Sequence, residues 1–520
     1  MSRHNRREFL ATVGQGMLIA SVGYATAMDL GLARRALADD EPQPLDFGPM
    51  EKMVALIQET PPEKILPWAV GLIDQGTSLK QLVAAAALAN ARTFGGEDYV
   101  GFHTLMALGP CLDMAKQLPS DRAALPVLKV LYRNSNRLTE QGGRSEEVLK
   151  PVSAELSGGA DGAEAIREAV HRQDVAAAES ALAALVKRDG VEAYNDLLLT
   201  VEEATEVHRV VLAHRAWDMM ELVGRDYALS MFRQSLRYCV RNEGASVKWF
   251  EEPRTLLPKL LDQYKLVGRE AGTRAGDDAW VEEMSRTLFE STPPQAAEAA
   301  AAALADGISH ESLGQAIAVA ANQLVLRDSG RPDKQTQANK PLGSVHGDSI
   351  GVHACDSAHA WRGIARISNH RNSVACLILA AYQVAKDRVN RGGDFLNWEP
   401  RPYEADLERI EARDAKSLLT ALDGAIREQN QLQACALVHR YGELGHTPSD
   451  LLTTLLYFAT SDDGALHHEK FYRTTTDEFA ALSDKFRWRQ LVALARVTAS
   501  GYGQPAPGYA EACGLLNVKA

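Results

Sequence analysis

The 520-residue chain has six cysteines, Cys111, Cys239, Cys355, Cys376, Cys435 and Cys513, and no two of them share a C-x-x-C spacing. That excludes a zinc knuckle and a c-type haem attachment, and predicts mostly core thiols, with a disulfide open only in an oxidising compartment. Past the N-terminal region no run approaches the roughly 18 apolar residues needed to span a bilayer. The formal net charge is -12 and no basic stripe is interleaved with aromatics, which argues against nucleic acid as a partner. P-loop, G-x-G-x-x-G after a strand, G-x-S-x-G and H-E-x-x-H are all missing, so nucleotide, acyl-serine and zincin chemistry have no support. Valine-rich alternating runs are scarce too. What is abundant is alanine, leucine, glutamate and arginine at the helical period, and the predicted fold is all-α.

The N-terminus is of another kind. Asn5, Arg6, Arg7, Glu8, Phe9 and Leu10 precede a mildly apolar, glycine-containing stretch from Ala11 to about Met28. This resembles a twin-arginine export signal, and Ala36, Leu37 and Ala38 form an A-x-A cleavage site. The expectation is a signal over 1–38, cleavage after Ala38, and a mature chain of residues 39–520 delivered already folded to the periplasm by the twin-arginine machinery. An ordinary secretory signal or an uncleaved anchor is the other reading of the same residues.

In the mature region a pattern recurs four times: a helix stopped at glycine, a second apolar helix, a polar loop, a histidine near the start of a third helix, and a further apolar helix. The glycines are Gly76, Gly190, Gly307 and Gly445, with Thr77 or Ser78 capping the first restart; the histidines are His103, His208, His353 and His467. Their unequal spacing favours one compact, pseudo-repetitive domain of about four four-helix units over a strict solenoid. Segments near 244–294, 328–348 and 390–416 fall outside the pattern and read as insertions or lids.

Copies two and three add a second histidine six residues on, His214 and His359, and a tryptophan beyond, Trp217 and Trp361. Six residues turn a side chain about 120° around a helix, so one metal cannot easily take both histidines of a pair. These four residues are weak candidates for lining a substrate cavity, with packing the alternative for the tryptophans. In the fourth copy, "ALHHEKFY", Lys470 follows His467 by one turn on the same face, while His468 points about 100° away. An ammonium beside a dication is repelled, so a lysine there must be neutral or altered. Carbon dioxide would convert it to a carbamate with an oxygen donor. Four imidazoles and one anionic oxygen suit ferrous iron and leave one octahedral position for dioxygen or substrate.

"FHTLM" at 102–106, "VHACDSAHAWR" at 352–362 and "HHEKF" at 467–471 resemble the questin oxidase-like family of all-helical oxygenases. The resemblance implies non-haem iron held by His103, His353 and His467 with a carboxylated Lys470. His208 enters from its place in the second unit. It also implies Baeyer-Villiger-type or ring-opening oxidation of an aromatic or quinoid small molecule with oxygen. In two places the chain departs from the family pattern: Ala107 stands where a second histidine would follow His103, and the export signal is foreign to the fungal members. A helical scaffold or binding protein without metal is the alternative from a different class, and a hydrolytic zinc site a lesser variant.

Overall fold

Ser78 starts the helix Leu79–Phe94 with a reciprocal cap: its hydroxyl accepts from the Gln81 N–H, and the Gln81 side chain accepts from the Ser78 N–H. Starts and stops of this sort organise the whole chain. The computed structural model describes residues 44–156 and 161–520; the export signal and its cleavage site lie outside the described residues. Among the described residues there are 24 α-helices, and in place of strands only three isolated β-bridges, so the fold is all-α as its periodicity predicts. No described helix is long and apolar enough to cross a membrane. All six cysteines are free and buried.

Three of the four glycine stops hold left-handed backbone, at φ +93° for Gly76, +83° for Gly307 and +70° for Gly445. The second differs from expectation. Gly190 is the first residue of the helix Gly190–Val201, and the break lies at Asp189, in extended backbone. The Asp189 carboxylate accepts from the Val191 and Glu192 N–H groups, so a short acidic side chain restarts the helix without a left-handed residue.

The outlying segments are also unlike one another. Residues 244–294 carry most of three helices, Glu243–Phe250, Glu252–Gln263 and Asp278–Glu290. The last of these places Val281 in a core cluster with Ala316, Val319, Leu482 and Phe486, which makes it part of the core rather than a lid. Residues 390–416 are tied to the end of the helix His310–Arg327 through the Arg401 N–H, which donates to the Leu326 carbonyl. Residues 328–348 are mostly loop and close over the region where four helices meet.

Those four helices are α1 (Tyr99–Ala115), α2 (Val207–Val223), α3 (Ile350–Ile367) and α4 (His467–Ala481). Each packs on the next, and α4 packs back on α1, so they form a closed ring. Helix α1 is apolar on nearly all sides and almost wholly buried, as befits a central helix. Three starts are capped by side chains: Asp98 accepts from the Gly101 N–H, Glu206 from Arg209 and Ser349 from Val352. The fourth is set by two left-handed residues, Ala465 and Leu466, with the Asp463 carboxylate accepting from the Ala465 N–H.

Candidate functional site

His467 is the first residue of α4, His208 the second of α2, His353 the fourth of α3 and His103 the fifth of α1. Because the four helices converge by their N-terminal turns, the four imidazoles meet. Neighbouring ring centroids lie 4.9 Å apart for His103 and His208, 5.9 Å for His208 and His353, 5.4 Å for His353 and His467, and 5.3 Å for His467 and His103.

Three rings are oriented by an oxygen at Nδ1. His103 donates to the Tyr99 carbonyl at 2.7 Å, His208 to the Glu206 carboxylate at 2.7 Å and His467 to the Gly464 carbonyl at 3.2 Å. With Nδ1 protonated, each neutral ring carries its lone pair on Nε2, the tautomer that ligating histidines adopt when a second oxygen holds their other nitrogen. The Nε2 atoms of His103 and His208 are buried without a partner, and those of His353 and His467 lie 3.3 Å apart. Two nitrogens bound to one ion at about 2.1 Å would be roughly 3.0–3.4 Å apart. No three of the four rings have ligand atoms all within 4.8 Å of one another, a limit met among the described residues by one other trio, so an ion would draw the far sides of the ring inward.

The electrostatics favour neutral imidazoles. Burial, followed by the charge of Lys470, pushes His103 and His467 well below the usual histidine range, and burial with His208 and Lys470 takes His353 down to about 3. Four helix N-termini add positive potential at the same point. Lys470 is 4% exposed, and burial lowers it to about 8 against the pull of Asp356 and Glu469. Among the described residues its amine has no hydrogen-bond partner, and the nearby Asp356 carboxylate is already engaged by the Thr474 hydroxyl at 2.7 Å. His468 turns elsewhere, against Gly464 and Gly501, with Nδ1 3.4 Å from the Asp462 carbonyl.

The ring is closed on one side and open on another. Gly347 presses on His467 so tightly that a Cβ there would lie 2.3 Å from the His467 Cβ. His353, by contrast, is only half-buried, and it feels the carboxylates of Glu206 and the exposed Asp348. Asp348 is held by Lys340 at 2.5 Å and Arg331 at 3.2 Å.

The second histidines form a separate cluster farther along the bundle. His214 and His359 pack on each other with centroids 5.6 Å apart, and His359 reaches the Asp477 carboxylate at 3.1 Å. Arg215 and Arg473 both pair with Asp218. Trp361 is fully buried and donates to Gln383, while the half-buried Trp217 packs on Tyr194 and Phe232. The trio that does fall within 4.8 Å is His171, Glu203 and Glu243. Arg167, Arg254 and Arg209 lie against its carboxylates, so its charges are already matched in an ion-pair network.

Sequence reasoning passed over Glu206, Tyr99, Gly347 and Asp356. Only Glu206 carried a local signal, a carboxylate two residues before His208 at a helix start. No family model matches the chain, and neither a curated protein nor a solved structure does.

Proposed function

We propose that this protein is a non-haem iron-dependent oxygenase that oxidises an aromatic or quinoid ring, with His103, His208, His353, His467 and a carbamate on Lys470 as the metal ligands. The observation that carries this reading is the convergence of four imidazoles, three of which are buried and held at Nδ1 by an oxygen, so that Nε2 carries the lone pair. Structural histidines rarely meet in fours, because each buried nitrogen without a partner costs about 1–3 kcal/mol. A shared cation removes that cost.

Lys470 fits the set through its chemistry. The amine of this buried side chain, lowered to about 8, can add to carbon dioxide: the nitrogen pair forms the N–C bond, a carbonyl π pair moves to oxygen, and the amine proton leaves to solvent. The resulting anion offsets metal charge where an ammonium would oppose it. Iron bound here would supply activation of dioxygen at its open position. The chain itself orients His103, His208 and His467, disfavours charge on His103, His353 and His467, and covers one side through Gly347.

Elemental analysis of the full chain, purified without air and reconstituted with ferrous iron, tests the reading. About one iron per chain, with oxygen uptake on adding a hydroxylated anthraquinone, is the expected result. Zinc alone would move the assignment to hydrolysis, and no retained metal would leave a helical binding protein.

A further inference from the structure

Tyr99 is 54% exposed, yet its ring touches two members of the buried histidine set. The centroid lies 4.3 Å from that of His103 and 5.8 Å from that of His208, and 5.4 Å from Phe102, which in turn meets Tyr238 edge-on at 5.3 Å. The backbone under it is fixed, since the Tyr99 carbonyl is the group that holds His103 Nδ1. The phenol ring therefore meets His103, His208 and Phe102, and about half of the residue is left to solvent. His353, whose ring centroid lies 5.9 Å from that of His208, is partly exposed as well.

We infer that Tyr99 is the stacking surface for the substrate ring at the mouth of the histidine site, and that a planar aromatic or quinoid molecule binds there before reaching the metal position. The binding step stands on the aromatic geometry alone; only its catalytic consequence rests on the oxygenase reading. A flat ring laid on Tyr99 would rest on a side chain that itself touches His103 and His208. The two carboxylates at the rim do not bar it, because Asp348 is paired with Lys340 and Arg331, and Glu206 is engaged by His208, Tyr238 and the Arg209 N–H.

The test is equilibrium binding of menadione, a neutral bicyclic quinone, to the full-length protein with and without metal, using cyclohexanone as the non-aromatic control. Tyr99→Leu is expected to weaken menadione binding about three- to tenfold, the value of one aromatic pair, while Tyr99→Phe stays within about twofold of the parent. Bound metal should be the same in all three proteins, because the carbonyl that orients His103 is backbone. Equal affinity of the leucine variant, or no preference for menadione over cyclohexanone in the parent, would overturn the inference. Tyr99-dependent binding in a protein that takes up no iron would support this inference and remove the oxygenase reading, so the two fail separately.

Discussion

The Nε2 atoms of His353 and His467 stand 3.3 Å apart although 114 residues separate them in the chain. Two neutral imidazoles so placed either share one proton or turn two lone pairs toward a common point. With His103 and His208 completing the ring, a cation is the simplest occupant. Ferrous iron at a hundredfold excess over its Kd should then stabilise the fold by about 2.7 kcal/mol. Urea midpoints with and without metal measure this, and the gain should vanish in His103→Ala and in His467→Ala. A metal response that survives both substitutions would place the ion elsewhere.

Lys470→Ala should lose iron and oxygen uptake, with partial recovery when a short carboxylic acid is added to replace the missing oxygen donor. Lys470→Arg should not recover, since a guanidinium keeps its charge and forms no carbamate. Isotope-labelled bicarbonate offers a direct check: a carbamate carbon resonance is expected in the parent and absent in both variants.

Gly347 carries the loop that covers His467. A Cβ on residue 347 would lie 2.3 Å from the His467 Cβ, so Gly347→Ala must move the loop or the ring. The expected cost is about 1–3 kcal/mol in urea unfolding, as for other overpacked sites. Metal uptake should weaken along with it. An alanine variant with unchanged midpoint and affinity would mean that the loop yields freely.

Glu206 does two things at once, capping α2 through the Arg209 N–H and fixing the tautomer of His208. Glu206→Gln keeps an acceptor for the cap but weakens the hold on Nδ1–H. Iron affinity should fall about 10- to 100-fold, the usual effect of losing such a partner. Helix content by circular dichroism should be unchanged; a parallel loss of helix would reduce Glu206 to a structural cap.

His214 lies outside the four-histidine ring, and burial takes it down to about 3, against the opposing pull of Asp218 and with the help of Arg215. Since its unfolded value is near 6.5, the folded state binds fewer protons than the unfolded state between the two values. Its contribution is therefore full above about pH 6.5 and is lost progressively as pH falls toward 3. The urea midpoint should drop between pH 7.5 and 5.5, and His214→Gln should drop less over that interval. An identical drop in the variant would assign the acid sensitivity to other groups.

The helical class, and the placing of the four histidines near helix starts, could be read from the chain because both are local. Periodicity reports helices, and the sequence just before each histidine reports the start. Gly190 shows the limit of that reading, since a short carboxylate one residue earlier does the work assigned to a left-handed glycine. The contact of His214 with His359 could not be read at all: it depends on the packing of α2 against α3, which no local spacing encodes. Tyr99 and Gly347 were invisible for a similar reason. An exposed tyrosine and a loop glycine acquire meaning only from what lies beside them once the chain has closed.

That closure has a kinetic side. Since α1 and α4 pack directly although α2, α3 and their neighbours lie between them in sequence, the last histidine joins the first only after that intervening chain has been made and brought together. Contacts of such long sequence separation form slowly, because the entropy of ordering the intervening chain is lost before they contribute. A growing or truncated chain lacking α4 holds at most three of the imidazoles and neither His467 nor Lys470. Assembly of the proposed ligand set is thus coupled to the late closing of this helix ring, and chains made only as far as α3 lack what that reading requires.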